Sequence, residues 1–292
     1  MPNMRIISNN LTDTAAVSAT SQASGFSIEN VKNDYKSSFH RTTTPTPLIV
    51  TYTLSWTADQ TVGGISLPCT NLSAAATIRV QLFSDTNGTV AITSPSTGDT
   101  GSTLIAACTN SPIANLGYSS PNGSLFQLGV LSKTSVWFPT NFVNVRCVKI
   151  SVSDTTANTA GYIDCARIVC GSYWQPTYNA SREGLVLGVT DTSQNSRTDA
   201  GDLIADRGFL HDELSLNLGL LTDTDRNNLL QLTRTAGVNR NILVSVFPEN
   251  FSTTTRNNTT EQQYTVYGKR ANSQFNYIIQ GYGSSTMQIT GW

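Results

Sequence analysis

Two histidines are the residues of this sequence with the clearest capacity for acid–base chemistry. Nucleophilic catalysis needs such a base beside a serine, threonine or cysteine, and His40 and His211 are the only histidines in the sequence. His40 follows a turn-rich loop, and we expect it to have a structural or surface role. His211 lies beside Asp212, on the face of an alternating segment opposite its leucines, which predicts an exposed position. Because no serine stands in a Gly-x-Ser-x-Gly motif, the sequence predicts no catalytic residues.

Asp199, Asp202 and Asp206 form the densest group of carboxylates. Two carboxylates can hydrolyse a glycosidic bond, so a polysaccharide hydrolase that uses Asp202 stays open as a minor hypothesis. Clustered carboxylates can also bind Ca²⁺, but the twelve-residue EF-hand pattern is absent, and the polar surroundings favour a solvated turn. Gly63 and Gly64 indicate a turn rather than a phosphate-binding loop, because no Lys-Ser or Lys-Thr pair follows. The sequence therefore predicts no metal and no cofactor.

The cysteines are odd in number and contain no Cys-x-x-Cys pair, so their spacing does not indicate a metal site. Free thiols that pack as small apolar side chains are the favoured interpretation. A disulfide between Cys147 and Cys165, across two neighbouring strands, is the open alternative. The five cysteines are Cys69, Cys108, Cys147, Cys165 and Cys170.

Aromatic side chains are the remaining signal for a ligand, because their faces can stack on sugar rings. Most of them are expected in the core or between domains, and Trp174 is predicted to pack at the domain junction. The aromatic candidates are Tyr118, Phe126, Trp137, Tyr173, Trp174 and Tyr178.

The composition favours β-sheets with many turns. Of the 292 residues, 38% are hydrophobic and only 13% are charged, and the net charge is -1. Such a chain has no field that would attract nucleic acid, and Ser, Thr, Asn and Gly replace the missing charges. The N-terminus lacks a signal-peptide pattern, and no apolar run reaches the ~20 residues of a membrane helix. We therefore expect synthesis in a cytoplasm, no membrane insertion and no nucleic-acid partner.

Residues 1–174 show a pattern of about eight short strands separated by turn signals, with no helix. Ile49–Trp56, Val62–Leu67 and Thr77–Ser84 read as strands because apolar and polar residues alternate. Phe142–Val152 and Tyr162–Gly171 are predicted to pair as a closing hairpin. This pattern predicts a β-sandwich or jelly-roll domain over residues 1–174.

Residues 175–292 predict a second, β-rich domain that carries one helix. The helix is expected at about 222–236, with Thr222 or Asp223 as its N-cap and Gly237 at its end. Phe251–Glu261 is predicted to be a polar loop. Strands are expected at Phe209–Leu218, Asn241–Phe247, Gln263–Lys269, Gln274–Gln280 and Thr286–Trp292.

The first half resembles discoidin-type, galactose-binding-like domains. The segment NVKNDYKSSFHRTTTPTPLIVTYTL resembles their opening, in which an acidic loop precedes an aromatic plug, here Phe39, and a basic residue. VNVRCVKISVSDTTANTAGYIDCARIVCGSYWQP resembles their closing strands, so that the resemblance covers Ala23 to about Trp174. Phe39 stands where tryptophan is more usual. The resemblance implies a β-sandwich, carbohydrate binding by analogy, and a weak Ca²⁺ candidate at Asp34.

The second half resembles distal-tail and related tail-tip proteins of tailed bacteriophages. The resemblance lies in LHDELSLNLGLLTDTDRNNLLQLTRTAGVNRNILVSVFPEN, in YTVYGKR, and in a last strand that ends at Trp292. It implies a non-enzymatic structural component of a virion tail tip or baseplate that assembles as a ring or collar with copies of itself and other tail proteins. The first domain would project outward and contact neighbours or host-surface carbohydrate. A lectin-like receptor-recognition protein is the alternative.

Overall fold

The computed structural model describes a mainly β protein. The described residues are 3–43, 48–72, 76–92, 98–100, 103–104, 132–155, 158, 160–181, 184–206, 208, 210–249, 258–271, 275–279 and 282–292. Two large antiparallel sheets and one small two-stranded sheet account for the strands among these residues. The predicted mainly β fold class is confirmed.

The first large sheet is built around two strands of 22 residues each. Its order is β3-β8-β4-β7-β5-β6, and β2 pairs with β4 outside this order. Register shifts interrupt the β4–β7 pairing, and such bulges bend strands, which lets both ends of β4 and β7 contribute to one apolar core. The strands are β2 (Ala16–Ala19), β3 (His40–Arg41), β4 (Ile49–Thr70), β5 (Thr77–Phe83), β6 (Thr103–Leu104), β7 (Ser132–Ser153) and β8 (Asp164–Gly171).

The predicted closing hairpin of this sheet is wrong. The two segments are strands, β7 and β8, but each of them pairs with β4, which lies between them. Ile49–Trp56 and Val62–Leu67, expected as two strands, are both parts of β4. The alternation of apolar and polar residues identifies a strand, but it does not identify the strand beside it. The sequence of a polar connection is the same whether the two strands it joins pair with each other or have a third strand between them.

The strand order also decides the state of the cysteines. Cys147 lies opposite Ser55 and Phe83, whereas Cys165 lies opposite His40 and Thr70. The alternative, a disulfide between these two cysteines, is therefore wrong, and the favoured interpretation of free thiols is confirmed for the described cysteines. Four cysteines are free and buried, and burial raises the pKa of Cys165 to about 12. Cys108 lies outside the described residues.

The second large sheet has the order β1-β13-β14-β16-β12-β9, and β15 pairs with β16. β10 and β11 pair only with each other among the described residues. The elements are β1 (Arg5–Ile7), β9 (Val186–Asp191), β10 (Gln194–Arg197), β11 (Leu203–Asp206), β12 (Leu210–Thr222), α1 (Asp223–Ala236), β13 (Asn241–Ser245), α2 (Asn258–Gln263), β14 (Thr265–Arg270), β15 (Phe275–Ile279) and β16 (Tyr282–Gly291).

Helix α1 has the ends that its sequence predicts. The Thr222 side chain accepts a hydrogen bond of 3.2 Å from the Asp225 amide, which caps the first turn. Gly237 ends the helix with a φ of 59°, a left-handed value that glycine adopts without strain. Leu229 and Leu232 bury the apolar side of α1 in the second core. A second helix, α2, replaces the last part of the loop predicted at Phe251–Glu261, whose earlier residues lie outside the described ones.

The first strand of the chain belongs to the second sheet. Arg5, Ile6 and Ile7 of β1 pair with Ser245, Val244 and Leu243 of β13. The backbone groups of Ile6 also exchange two hydrogen bonds of 2.9 Å with those of Trp174. The domain division at residues 174 and 175 stays a prediction, but this pairing shows that β1 stabilises the later part of the chain.

Candidate functional site

His40 has a structural environment. It is fully buried, its Nε2 lies 3.0 Å from the carbonyl oxygen of Ser21, and its Nδ1 lies 3.4 Å from the hydroxyl of Tyr52. Burial lowers the pKa of His40 to about 4. The neutral ring therefore donates from Nε2 to Ser21 and accepts at Nδ1 from Tyr52, which leaves neither nitrogen to activate a nucleophile.

The protonation of His40 predicts an acid-dependent loss of stability. The unfolded chain binds the proton with a pKa near 6.5, whereas the folded protein binds it at about 4. The free energy of unfolding therefore has its full value above pH 6.5 and decreases as the pH falls from 6.5 through 4. The total decrease is up to about 3 kcal/mol. Urea unfolding of the wild type and of His40→Gln at several pH values isolates the effect. Equal losses in both proteins would contradict it.

His211 lies near the start of β12, next to Asp212. Its side chain is only 20% exposed, and its Nε2 lies 3.5 Å from a carboxylate oxygen of Glu213. The predicted exposed position is thus mostly covered, because the neighbouring strand β9 places Thr190 directly opposite. The carboxylate of Asp212 accepts from Lys133 of β7 at 2.6 Å, which links the two sheets. Among the described residues, neither histidine ring hydrogen-bonds a serine, threonine or cysteine side chain.

The three acidic candidates lie along the β10–β11 hairpin without converging. Asp199 and Asp202 are in its turn, where the Asp202 amide donates to the Thr198 hydroxyl at 3.1 Å. Asp206 ends β11, opposite Gln194. All three are exposed. Within the described part of the chain, no group of three or more His, Cys, Asp or Glu side chains is placed to hold a metal ion.

Most of the aromatic candidates are unavailable to a ligand. Trp137 is fully buried, Tyr173 packs edge-on against it, and Trp174 packs against the core of the second sheet. Tyr178 is 45% exposed, and Tyr35, which the sequence did not single out, is 70% exposed. Tyr118 and Phe126 lie outside the described residues.

A partly exposed arginine surrounded by aromatic rings forms a second type of site, here called the Arg41 cluster. The Arg41 guanidinium lies 4.7 Å from the ring centre of Phe26, 5.2 Å from that of Phe39 and 3.9 Å from that of Tyr162. Its Nε and Nη2 each donate to one carboxylate oxygen of Asp164 at 2.8 Å. The arginine side chain is 22% exposed, whereas that of Asp164 is 2% exposed. Nη1 makes no hydrogen bond to the described residues.

An edge strand and two asparagine side chains hold the Arg41 cluster in place. β3 carries the arginine and pairs with β8 at the edge of the first sheet. The Asn30 side chain donates to the carbonyl of Phe39 at 2.9 Å, and the Asn71 side chain donates to the carbonyl of Tyr162 at 3.0 Å. The hydrogen bond with Asp164 raises the pKa of Arg41, so the guanidinium stays charged. The cluster is thus a fixed, solvent-facing donor group with apolar rims.

A second feature is an exposed projection from the other sheet. The β10–β11 hairpin, residues 194–206 and here called the arm, has every strand residue exposed. Leu203 and Ile204 are 63% and 51% exposed. The neighbouring strand β9 ends its sheet, and its Val186 and Val189 are 58% and 66% exposed. The outer side of β9, here called the β9 edge, pairs with no other strand among the described residues.

A buried arginine joins the two sheets. Arg167 of β8 is 2% exposed, and it reaches Asp13 at 2.7 Å and Asp34 at 3.0 Å. It also donates to the hydroxyl of Tyr267 on β14 at 3.0 Å and to the carbonyl of Val31 at 3.2 Å. The Tyr267 hydroxyl in turn donates to Asp34 at 2.6 Å. The Asp34 carboxylate therefore stabilises the junction between the sheets.

None of the helices in the described residues is both long enough and apolar enough to span a bilayer.

Comparison with known proteins gives only distant structural likenesses. No family model matches the chain, and no curated protein matches it. A family 32 carbohydrate-binding module from Clostridium perfringens in complex with GalNAc-β-1,3-galactose is 11% identical, with a TM-score of 0.36 over 56% of this chain and 100% of that one. The family 32 module of C. perfringens NanJ in complex with galactose is 12% identical, with a TM-score of 0.35 over 56% and 98%. The lectin domain of lectinolysin complexed with Lewis B antigen is 15% identical, with a TM-score of 0.34 over 56% and 96%. TM-scores this low establish neither a shared fold nor a shared ligand.

Proposed function

We propose that this chain is a non-catalytic glycan-binding protein whose ligand contacts the Arg41 cluster. The supporting observation is the guanidinium itself, which is held by Asp164, is partly exposed and retains an N–H group that no described residue accepts. Aromatic rims beside a fixed donor suit a sugar, whose C–H face packs on rings while its oxygens accept hydrogen bonds. The discoidin resemblance of the segment around Phe39 agrees with this role.

The charge balance of the Arg41 cluster favours a neutral glycan over an acidic one. Asp164 uses both carboxylate oxygens on Arg41, so the pair presents little net charge to a ligand. The remaining Nη1 group of Arg41 can donate to a hydroxyl or ring oxygen. A carboxylate-bearing sugar would approach the buried acid without a second cation, since the other described groups around the guanidinium are aromatic rings.

An array of neutral and acidic glycans tests this proposal with the wild type, Arg41→Lys and Tyr162→Ala. We expect selective binding of neutral glycans, reduced at least about tenfold in both variants because a ligand anchor or its packing surface is lost. Arg41→Lys keeps the charge beside the buried Asp164 but removes the fork of donors.

Tyr178→Ala is the matched control for this array, because Tyr178 is an exposed tyrosine outside the cluster. It should bind as the wild type does. Absence of binding to any glycan, a preference for acidic glycans, or binding that survives both cluster variants would contradict the proposal.

A structural role in a bacteriophage virion is the second candidate function, favoured by the arm and by the β9 edge. Exposed strand edges and apolar side chains on a nearly neutral protein suit permanent contacts with copies and neighbours. In this role the chain would assemble in the host cytoplasm and reside in the tail tip or baseplate, with the first domain outward. Its detection by mass spectrometry in purified virions would support the role. A purified protein that is monomeric at high concentration and absent from virions would contradict it.

A further inference from the structure

We infer that Trp292 is a positioning residue for the Arg41 cluster, because its indole holds the loop that leads into Phe39 and Arg41. The inference rests on the proposed ligand site at this cluster, and it adds that the site needs the second sheet. Trp292 follows β16 of that sheet and acts through the loop rather than on the ligand.

Most of the cluster comes from one segment, residues 26–41, here called the cluster loop. It carries Phe26, Phe39 and Arg41, and the ring centres of the two phenylalanines are 5.1 Å apart. A short 3-10 helix, Ile28–Lys32, packs against the first core, and β3 at the end of the loop pairs with β8. The residues between these two elements form neither helix nor strand, so their position depends on individual contacts.

The second sheet holds the middle of the cluster loop at Asp34. The indole Nε1 of Trp292 donates to the Asp34 backbone carbonyl at 2.7 Å, and the Tyr267 hydroxyl donates to the Asp34 carboxylate at 2.6 Å. The rings of Trp292 and Tyr267 pack edge-on with their centres 5.5 Å apart, and the Lys36 Nζ lies 5.9 Å from the indole. The backbone amide of Trp292 also donates to the Tyr267 carbonyl at 2.8 Å. The loop is therefore anchored to a sheet other than the one that carries β3.

Hydrogen bonds inside the cluster loop connect this anchor to the ligand site. The Asn33 amide, next to Asp34, donates to the Asn30 carbonyl at 3.0 Å, and the Asn30 side chain donates to the Phe39 carbonyl at 2.9 Å. Releasing Asp34 therefore loosens the segment that places the Phe39 ring beside Arg41. A ligand then binds only the fraction of molecules in which the ring is in place, and its apparent affinity falls with that fraction.

Replacing Trp292 by alanine in the full chain tests the inference. Hydrogen exchange followed by mass spectrometry should show faster exchange of residues 26–41 in the free variant. Exchange in β5, which lies on the other side of the first sheet from β3, should not change. The affinity for neutral glycans should fall about three- to tenfold. The order of preference among these glycans should stay that of the wild type, because no residue that contacts the ligand is altered.

A milder variant separates the lost hydrogen bond from the lost ring. Trp292→Phe keeps an aromatic ring beside Tyr267 but removes the donor to Asp34. It should change exchange and affinity in the same direction as Trp292→Ala, and by less.

Trp174→Ala is the matched control. Trp174 is also a partly buried tryptophan that packs against the second core, but its indole Nε1 meets no acceptor among the described residues. This variant should keep the wild-type exchange of residues 26–41 and the wild-type affinity.

Three results would overturn the inference: wild-type exchange of the cluster loop in both Trp292 variants, exchange that accelerates equally in β5, or wild-type affinity despite a loosened loop. A wild type that binds no glycan would contradict the proposed function instead. The exchange of the free protein would then decide by itself whether Trp292 positions the cluster.

Discussion

Replacing Trp137 by alanine is expected to lower the free energy of unfolding by about 3–5 kcal/mol, the usual range for the loss of a large buried aromatic side chain. The indole is fully buried and lies in an apolar cluster with Ile7, Val169 and Leu243, and Tyr173 packs beside it. These residues come from both large sheets, so the cavity would open at the junction between them. Neighbouring backbone in paired strands cannot readily move to fill it.

The control for this substitution is Tyr178→Ala, because Tyr178 is 45% exposed. Its effect should stay within about 0.5 kcal/mol. Urea unfolding followed by circular dichroism measures both variants. A Trp137→Ala loss below about 1 kcal/mol would show that the indole is not the packing element described here. Glycan binding by the folded variant should not change, because Trp137 lies outside the Arg41 cluster.

Replacing Arg167 by methionine is expected to lower the free energy of unfolding by about 3 kcal/mol or more. Methionine roughly preserves the apolar volume but removes every polar contact that the guanidinium makes. The carboxylates of Asp13 and Asp34 lose their cationic partner, and the buried hydroxyl of Tyr267 loses a donor. Removing one partner of a buried charge pair typically costs about 3–5 kcal/mol, and the partial exposure of the two acids places this case at the lower end.

Arg146→Met is the matched control for the Arg167 substitution. Arg146 also pairs with a carboxylate, that of Asp59, but its side chain is 42% exposed and its partner's is 48% exposed. Exposed ion pairs contribute about 0–1 kcal/mol, so this variant should remain close to the wild type in urea unfolding. Similar losses of free energy of unfolding in the two variants would show that the contacts of Arg167 with both sheets stabilise the protein no more than an exposed ion pair does.

Much of the local structure follows from nearby residues. Thr222 and Gly237 delimit helix α1 because capping and left-handed backbone depend on single residue types. Alternation located β5, β12 and β14 to within a few residues. The same signals missed α2, whose six residues are too short and polar to show a helical period.

The partners of these elements could not be predicted in the same way. β4 separates β7 from β8, and β1 pairs with β13 more than two hundred residues later. A buried strand has the same alternation of apolar and polar residues whichever strand lies beside it. The choice of its partner strand depends on the packing of the complete core. The predicted hairpin failed for this reason.

The candidate site was also only partly predictable from the sequence. The sequence by itself determined the β-rich character, the main helix and the weak charge, whereas none of its aromatic candidates for a ligand lies in the Arg41 cluster. Only the tertiary structure placed Tyr162 and Asp164 beside Arg41, and Asp164 lies 123 residues from the arginine in the sequence. Only the tertiary structure, likewise, left the strands of the arm exposed. Local preference is set by neighbours in the chain, whereas charge pairing and exposure are set by residues that meet only when the sheets close.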